Sequence, residues 1–186
     1  LGLPSGTLWA TMNVGASKPS DAGLYFAWGD TQGCSADQIG KDKQFKWSDY
    51  KWNPSGDGKT FTKYTTTGAT LELEDDAAHV HMGGSWHMPT PDQIKELTAN
   101  TTSTWTTQGG VNGRLFTSKK GSSKSIFIPA AGYAQYVSVG RIGKEANVWS
   151  SMTDAGVVDS GQSLGFGLDY AVLGNGIRCY GFSVRG

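Results

Sequence analysis

The sequence predicts an α+β fold in which two helices pack on a mixed, mainly antiparallel sheet with long ordered loops. Three observations predict this class. A capped helix start is recognisable at Thr90, and strand-like segments separated by glycine-rich turns follow from Trp105 onward. The third observation is an irregular stretch, residues 31–70, that carries many aromatic side chains. The chain, of which 37% is hydrophobic, is expected to form a single domain over residues 1–186.

The N-terminal part of the chain contains a short apolar run, Leu24 to Trp28, whose glycine-bounded pattern is typical of a buried strand. Residues 31–70 are rich in Gly, Ser, Thr, Asp and Lys, which favours irregular structure. Large rings recur within this stretch, whereas a disordered linker would contain few of them. We therefore expect an ordered excursion that is anchored by Phe45, Trp47, Tyr50, Trp52, Phe61 and Tyr64.

The first predicted helix is short and is placed by charge and by glycine. Glu72, Glu74 and Asp75 are expected in or near its first turn, where the helix dipole favours acidic side chains. The helix is expected to end at Met82, because a pair of glycines beginning at Gly83 follows it.

The second predicted helix has a complete start signal. Thr90 can cap the helix, and Pro91 suits its first position. Gln93 stands where a capping box needs a side chain that returns a hydrogen bond to the cap. We expect this helix to run to about Asn100.

Strands and turns alternate over much of the second half of the chain. The segments that predict a hairpin or meander are residues 105–107, 115–117 and 125–128, with turns at residues 109–113 and 120–122. Apolar residues then alternate at Leu164, Phe166 and Leu168, which is typical of a strand with one buried face. Trp86 and Trp149 are expected to be buried on either side of the sheet.

Charge and hydropathy exclude several classes of partner. Sixteen basic and sixteen acidic side chains balance, so we expect neither nucleic acid nor an anionic membrane as a partner. No apolar run reaches the roughly 20 residues that cross a membrane, which excludes direct membrane insertion. We expect a monomer without a cofactor. Cys34 and Cys179 could form one disulfide, but their placement in a loop and a strand favours two free thiols.

Two patterns resemble catalytic or metal sites but lack the context that the chemistry needs. On a helix, His79 and His81 would point to nearly opposite faces, so they are not expected to share a metal ion with His87. Asp75 and His79, four residues apart, could still address one ion. Residues 161–165 match the Gly-x-Ser-x-Gly pattern of hydrolases, yet no histidine follows them. We therefore assign no catalytic residue and no metal ligand.

Five separated motifs, spread over the whole chain, resemble one known family. They are Leu3–Ala10, Gly83–Ile94, Ile126–Tyr133, Val148–Ser151 and Arg178–Arg185. On these motifs the chain resembles the Fibrobacter succinogenes major paralogous domain, a family found in surface and secreted proteins of gut bacteria. The resemblance implies a C-type-lectin-like fold, related to that of formylglycine-generating enzymes and used mainly as a binding scaffold. The expected location, at the cell surface or secreted, rests on this resemblance, because no signal peptide is recognisable in what we expect to be a trimmed fragment.

The chain departs from the activities that are known for this fold. Calcium-dependent lectins use a Glu-Pro-Asn or Gln-Pro-Asp loop and a Trp-Asn-Asp strand motif, whereas here Trp149 is followed by Ser150 and Ser151. We therefore expect any binding to be independent of calcium. Formylglycine-generating enzymes need a paired cysteine motif near the C-terminus, where this chain has Cys179 alone. These departures lead us to expect a protein that is not an enzyme.

The C-terminal segment differs most from the family and is where we place ligand binding. Members of the family usually carry an aromatic-rich strand and turn before the closing Arg-x-Tyr-Gly, but residues 172–177 are small or aliphatic apart from one asparagine. A retained frame with altered contents is typical of a scaffold that presents exchangeable side chains. The residues predicted to bind a protein or glycan ligand are Asp154, Val157, Val158, Asp159, Asp169, Tyr170, Val172, Leu173, Asn175 and Ile177.

This fold is also used by the variable proteins of diversity-generating retroelements, which resemble the chain in having a mutable C-terminal cassette. Those elements rewrite adenines in Asn-type codons, and the resulting codons cannot encode Trp, Met, Lys, Gln or Glu. Residues 153–186 contain a single residue of these five types, Gln162. Retroelement variation predicts this scarcity of the five residue types. A glycine-rich strand-and-turn region would show the same scarcity, because such regions are poor in long side chains.

Two other functions remain as alternatives. A structural or assembly module of a surface fibre or adhesin would expose a long unpaired edge strand or a docking groove. A degenerate enzyme of the formylglycine-generating type would need a pocket lined by titratable groups with shifted pKa values.

Overall fold

Most of the regular structure is β-sheet and lies in the second half of the chain. A computed structural model of the protein describes residues 1–121 and 123–186. The helices are α1 (Ala77–Met82) and α2 (Pro91–Asn100). The strands are β1 (Tyr25–Phe26), β2 (Thr101–Gln108), β3 (Val111–Ser118), β4 (Ser125–Pro129), β5 (Tyr133–Gln135), β6 (Ser138–Gly140), β7 (Glu145–Thr153), β8 (Ser160–Gly167), β9 (Ala171–Ile177) and β10 (Phe182–Ser183). The predicted α+β class is confirmed.

Strands from both ends of the sequence form the central sheet, in the order β1-β10-β7-β8-β9. The pair β10–β7 is parallel and the other pairs are antiparallel, as expected for a mixed, mainly antiparallel sheet. Strands β2, β3 and β4 form the predicted meander, and β5 pairs with β6 in a separate hairpin. Ser122, which belongs to the predicted turn between β3 and β4, lies outside the described residues.

Helix α2 begins and ends where the sequence predicts. The Thr90 hydroxyl accepts the backbone N–H of Gln93 at 3.2 Å, and the Gln93 side chain accepts the backbone N–H of Thr90 at 2.8 Å. The capping box therefore satisfies two of the free N–H groups at the helix start. Ile94 and Leu97 are fully buried in a cluster that contains Leu164 of β8 and residues of the meander, so α2 joins the two sheets.

Helix α1 starts later than the sequence analysis expects. Leu73–Asp75 form a separate turn of 3-10 helix, and Asp76 is the N-cap of α1. The reason is that the buried Asp76 carboxylate accepts the backbone N–H groups of His79 and Met88, which fixes the first turn beyond the acidic run. Gly83 ends the helix with a φ of 71°, as its position predicts.

The aromatic excursion is ordered, as predicted. Tyr50 and Tyr64 are buried, and the Tyr50 hydroxyl donates to the Trp28 carbonyl at 2.7 Å. Phe45 and Phe61 are buried as well, while Trp47 and Trp52 are half-buried. The predicted strand at residues 24–28 is shorter than expected, since only β1 pairs in the sheet.

Two predictions about apolar side chains are wrong. Trp149 is fully buried, but Trp86 is only half-buried, because it lies in the loop between α1 and α2, where its ring lies beside Gly186. Leu168 is 60% exposed, because β8 ends one residue before it and the alternation does not continue.

Both cysteines are free and buried. Burial raises the pKa of the Cys179 thiol to about 12, so this side chain behaves as a packed apolar group and not as a nucleophile. Within residues 1–121 and 123–186, no helix has the length and apolar character that would let it span a bilayer.

Candidate functional site

The ten residues predicted to bind a ligand lie around the β8–β9 hairpin. The register pairs Ser160 with Ile177 at one end and Phe166 with Ala171 at the other. Five of the ten are exposed: Val157, Asp169, Tyr170, Val172 and Asn175. The other five are half-buried: Asp154, Val158, Asp159, Leu173 and Ile177. None of these ten side chains is buried in the core.

The hairpin separates these residues into two groups. Asp169 and Tyr170 lie in the turn between β8 and β9, where Arg114 donates hydrogen bonds to the carbonyls of Gly167 and Tyr170. Residues 154–159 lie beyond the opposite end, next to the C-terminal end of β9. The structure therefore brings the second group together with Asn175 and Ile177, and leaves Asp169 and Tyr170 apart from them.

Asp154 ties its loop to the edge of the sheet. Its carboxylate accepts the Asn175 side-chain amide at 3.0 Å and the backbone N–H groups of Gly156 and Val157 at 2.8 and 3.0 Å. Partial burial acts to raise the pKa of Asp154, but the hydrogen bonds from Asn175 and the loop outweigh it and hold the pKa below the usual value. Asp154 is therefore ionised at neutral pH and organises the loop.

Arg178 holds the other side of the same loop. Its guanidinium donates to the Val158 carbonyl at 3.1 Å, and its backbone N–H donates to the Asp159 carbonyl at 3.0 Å. The side chain is fully buried, so this anchor belongs to the core. The loop is thus attached to the sheet through Asp154 and to the core through Arg178.

A groove of about 310 Å³ opens beside this loop. It is lined by Tyr133, Asn147, Ser160, Asn175, Gly176, Ile177, Tyr180 and Phe182. Asn175 and Ile177 were predicted from the sequence, whereas the tyrosines and Asn147 were missed. Tyr180 belongs to the closing Arg-x-Tyr-Gly, which was interpreted as retained frame, and neither Tyr133 nor Asn147 was considered as a binding residue. The residue type itself was the available signal, because partly exposed tyrosine is enriched at binding surfaces.

Aromatic rings form one wall of the groove. The rings of Tyr133 and Tyr180 are nearly parallel, with an interplanar angle of 9° and centroids 6.2 Å apart. Phe182 meets Tyr133 edge-on and stacks on the buried Trp149 at 3.9 Å. Since Phe182 and Trp149 belong to the core, this wall is held rigidly.

Glycines in β9 shape the surface next to these rings. A Cβ atom at Gly176 would lie 2.3 Å from the ring of Phe182, so only glycine allows the ring to lie against the strand. A Cβ atom at Gly174 would meet no atom within 4 Å. One glycine is therefore required by packing and the other faces open space.

The polar side chains of the groove retain free hydrogen-bonding capacity. Gln135 donates to the Tyr180 hydroxyl, which leaves the tyrosine O–H free to donate. Asn175 uses one amide hydrogen on Asp154, and its carbonyl oxygen accepts no hydrogen bond from the described residues. Asn147 and the Tyr133 hydroxyl form no side-chain hydrogen bond with residues that the structure describes. None of the eight lining residues carries a charge.

Two other cavities lie near the N-terminal segment. Their volumes are about 210 and 560 Å³, and both are bounded by Trp9 and Trp86. Neither contains any of the ten predicted binding residues. Of these three cavities, the groove beside Asn175 is the one that contains predicted residues, namely Asn175 and Ile177.

A cluster of carboxylates could hold a cation but is already occupied. Glu72, Glu74 and Asp75 approach one another in the described part of the chain. The Lys63 ammonium lies 2.7, 3.3 and 2.6 Å from their respective oxygens. Hydrogen bonds to Asp75 first, and then to Glu72, raise the pKa of Lys63, so its charge is retained. The cluster is a salt-bridge network in which a side chain stands where an ion would sit.

The histidines and the hydrolase-like serine have structural surroundings. The ring nitrogens of His79, His81 and His87 lie within hydrogen-bond distance of the carbonyls of Trp86, Thr31 and Met88, respectively. Ser163 is fully buried in the middle of β8, away from any strand-to-helix turn. The geometry of a nucleophile elbow is therefore absent at this residue.

Removal of calcium is expected to leave the protein unchanged. A bound ion would stabilise the fold by mass action, so its removal would lower the melting temperature. Melting in excess EDTA and in millimolar calcium should give the same midpoint, because the lectin-type calcium motifs are missing. A fall of several degrees in EDTA would contradict the calcium-independent assignment.

Comparison of the chain with protein-family models, with curated proteins and with solved structures finds no match. The groove must therefore be interpreted from its own residues.

Proposed function

We propose that this chain is a non-enzymatic ligand-binding domain of a bacterial surface or secreted protein. We propose for it a C-type-lectin-like fold and kinship with the Fibrobacter succinogenes major paralogous domain. The ligand, a protein or a glycan, binds at the groove beside Asn175. The observation that carries the proposal is that this groove combines uncommitted polar groups with half-buried tyrosine rings on a rigid support.

Preorganisation supports a binding role. Asp154 and Arg178 fix the loop beside the groove, and the aromatic wall rests on the fully buried Trp149. A site that is ordered before binding loses less conformational entropy when the ligand arrives. The same rigidity lets side chains at the rim change while the fold is kept.

The exposed members of the predicted set should tolerate substitution. Val157→Ser and Val172→Ser are expected to change the free energy of unfolding by less than about 0.5 kcal/mol each, since these side chains are half exposed. Leu164→Ser on β8 is the matched control and should cost more than about 2 kcal/mol, because Leu164 is fully buried. Urea unfolding of the three variants tests this. If Val172→Ser lowered the free energy of unfolding as much as Leu164→Ser does, the side chain of Val172 on β9 would have to belong to the core.

Binding itself is tested with arrays of immobilised glycans and peptides. The wild-type domain is expected to bind a defined subset, and Asn175→Ala is expected to weaken that binding. Gln108→Ala, an exposed amide on the separate meander, is the control and should bind as the wild type does. Binding that responds equally to both variants, or no binding on either array, would overturn the proposal.

One observation favours a second candidate function, that of an assembly module. Strand β9 lies at the edge of the central sheet, spans seven residues and contains neither proline nor a charged side chain. Such an edge is suited to pairing with a strand from another subunit. If it does so, the protein will self-associate in sedimentation experiments, and Gly174→Pro will restore the monomer.

A further inference from the structure

Resting on the proposed function, we infer that the groove beside Asn175 binds a neutral sugar ring of a glycan. The groove joins an aromatic wall to uncharged amides and hydroxyls, and that combination matches a pyranose better than a peptide or an ionic ligand. The aromatic wall, the polar groups and the lack of charge each favour this ligand for a separate reason.

The aromatic wall matches the apolar face of a sugar. One face of a pyranose presents C–H groups, and these pack on the face of a tyrosine ring while the hydroxyls point outward. Tyr133 and Tyr180 are both half-buried, so each ring keeps part of its surface for a ligand. The two rings are stacked with near-parallel planes, so each keeps one face that the other ring does not cover, and such a face is a flat apolar surface.

The polar groups match the hydroxyls of the sugar. A hydroxyl both donates and accepts, and it therefore pairs best with groups that do the same. Asn147 offers a carbonyl oxygen and an NH₂ group, and the Tyr133 hydroxyl can donate or accept. Asn175 adds a free carbonyl oxygen, and Tyr180 adds a free O–H. These four side chains can serve several hydroxyls of one ring.

The lack of charge sets the specificity. No lysine or arginine lines the groove, so the carboxylate of an acidic sugar or a phosphate would lose its water without gaining an oppositely charged partner. Two carboxylates lie next to lining residues of the groove. That of Asp154 accepts hydrogen bonds from Asn175 and two backbone N–H groups, and that of Asp159 accepts the Ser160 hydroxyl at 2.9 Å, so a cationic peptide gains little from either. A neutral ligand is the class that remains.

The volume limits how much of a glycan is held. A groove of about 310 Å³ lies at the lower end of the range of about 300–1,000 Å³ that is usual for small-molecule sites. The site therefore holds one or two sugar rings. The rest of the glycan extends along the surface.

The experiment compares glycans of different charge on the intact protein. An array of neutral gluco-, galacto-, manno- and xylo-oligosaccharides is probed in EDTA, beside polygalacturonate and a random peptide array. At least one neutral oligosaccharide is expected to bind. Its affinity, measured by titration calorimetry, should fall roughly threefold to tenfold in Asn147→Ala and in Tyr133→Phe, since each variant loses one neutral hydrogen bond. Gln108→Ala should bind as the wild type does, and equal melting temperatures will show that the variants are folded.

Other outcomes separate the inference from the proposed function. Groove-dependent binding of polygalacturonate or of a peptide, without any neutral oligosaccharide, would overturn the inference and leave the binding function intact. Neutral binding that is unchanged in both groove variants would overturn the inference, because the sugar would then lie elsewhere. No binding on any array would overturn both.

Discussion

Replacement of Trp149 by alanine is expected to leave the protein largely unfolded at modest denaturant concentrations. The side chain is fully buried, stacks on Phe182 at 3.9 Å and donates its indole N–H to the Phe26 carbonyl at 2.7 Å. Removing a buried tryptophan costs about 3–5 kcal/mol, and the stranded carbonyl adds about 1–3 kcal/mol. This sum is a large part of the roughly 5–15 kcal/mol that stabilises a typical domain.

Trp86 provides the matched control for this experiment. Its ring is half-buried and makes no side-chain hydrogen bond with the described residues, so Trp86→Ala should cost about 1–2 kcal/mol. Urea unfolding followed by circular dichroism will rank the two variants. Equal urea midpoints for the two variants would show that both tryptophans contribute equally to stability, and the assignment of Trp149 alone to the core would then be wrong.

Arg178→Met is expected to have the second-largest effect. The fully buried guanidinium donates to the Tyr50 hydroxyl at 3.0 Å, to the Tyr64 carbonyl at 3.0 Å and to the Val158 carbonyl at 3.1 Å. It also lies 4.3 Å from the ring centroid of Phe61. Methionine fills much of the same space but removes the donor from these three oxygens and from the Lys63 carbonyl at 3.4 Å. We therefore expect the free energy of unfolding to fall by about 3–5 kcal/mol.

Arg178→Lys distinguishes the effect of the positive charge at this position from the effect of the hydrogen-bond geometry of the guanidinium. Arg178→Lys keeps the charge but cannot supply the same fork of donors, so it should recover only a small part of the loss. Arg141→Met is the control, because the Arg141 side chain is 59% exposed and its ion pair with Glu145 is worth less than about 1 kcal/mol. Full rescue by lysine, measured by urea unfolding, would show that charge alone matters.

The features that could be predicted from the sequence depend on nearby residues. Thr90 and Gln93 are three positions apart, so their hydrogen bonds are implied by the helix itself. The meander was also predictable, since its strands follow one another through short turns. The start of α1 was missed because Asp76 is held by Met88, a contact that the local charge pattern does not reveal.

The candidate site was only partly predictable because it joins distant segments. Tyr133 reaches Tyr180 because Ala134 and Gly181 exchange backbone hydrogen bonds of 2.7 and 2.9 Å. No periodicity in the sequence indicates such a bridge. Asn175 could be found because residues 172–177 depart from the pattern of the family that the sequence resembles. Arg178 could be recognised as part of a motif, but its acceptors come from three separate parts of the chain.

The two glycines of β9 differ in whether evolution can replace them. A mutation at Gly176 would drive a side chain into Phe182, so selection for folding would remove it before any new ligand could be tested. A mutation at Gly174 would place its first side-chain atom in open space, at a backbone angle that other residues also adopt. Descendants could therefore acquire a new contact there in a single step, without an earlier stabilising change. A position that must stay unchanged for the fold, Gly176, and a position that can change to alter binding, Gly174, would thus lie only two residues apart on one strand.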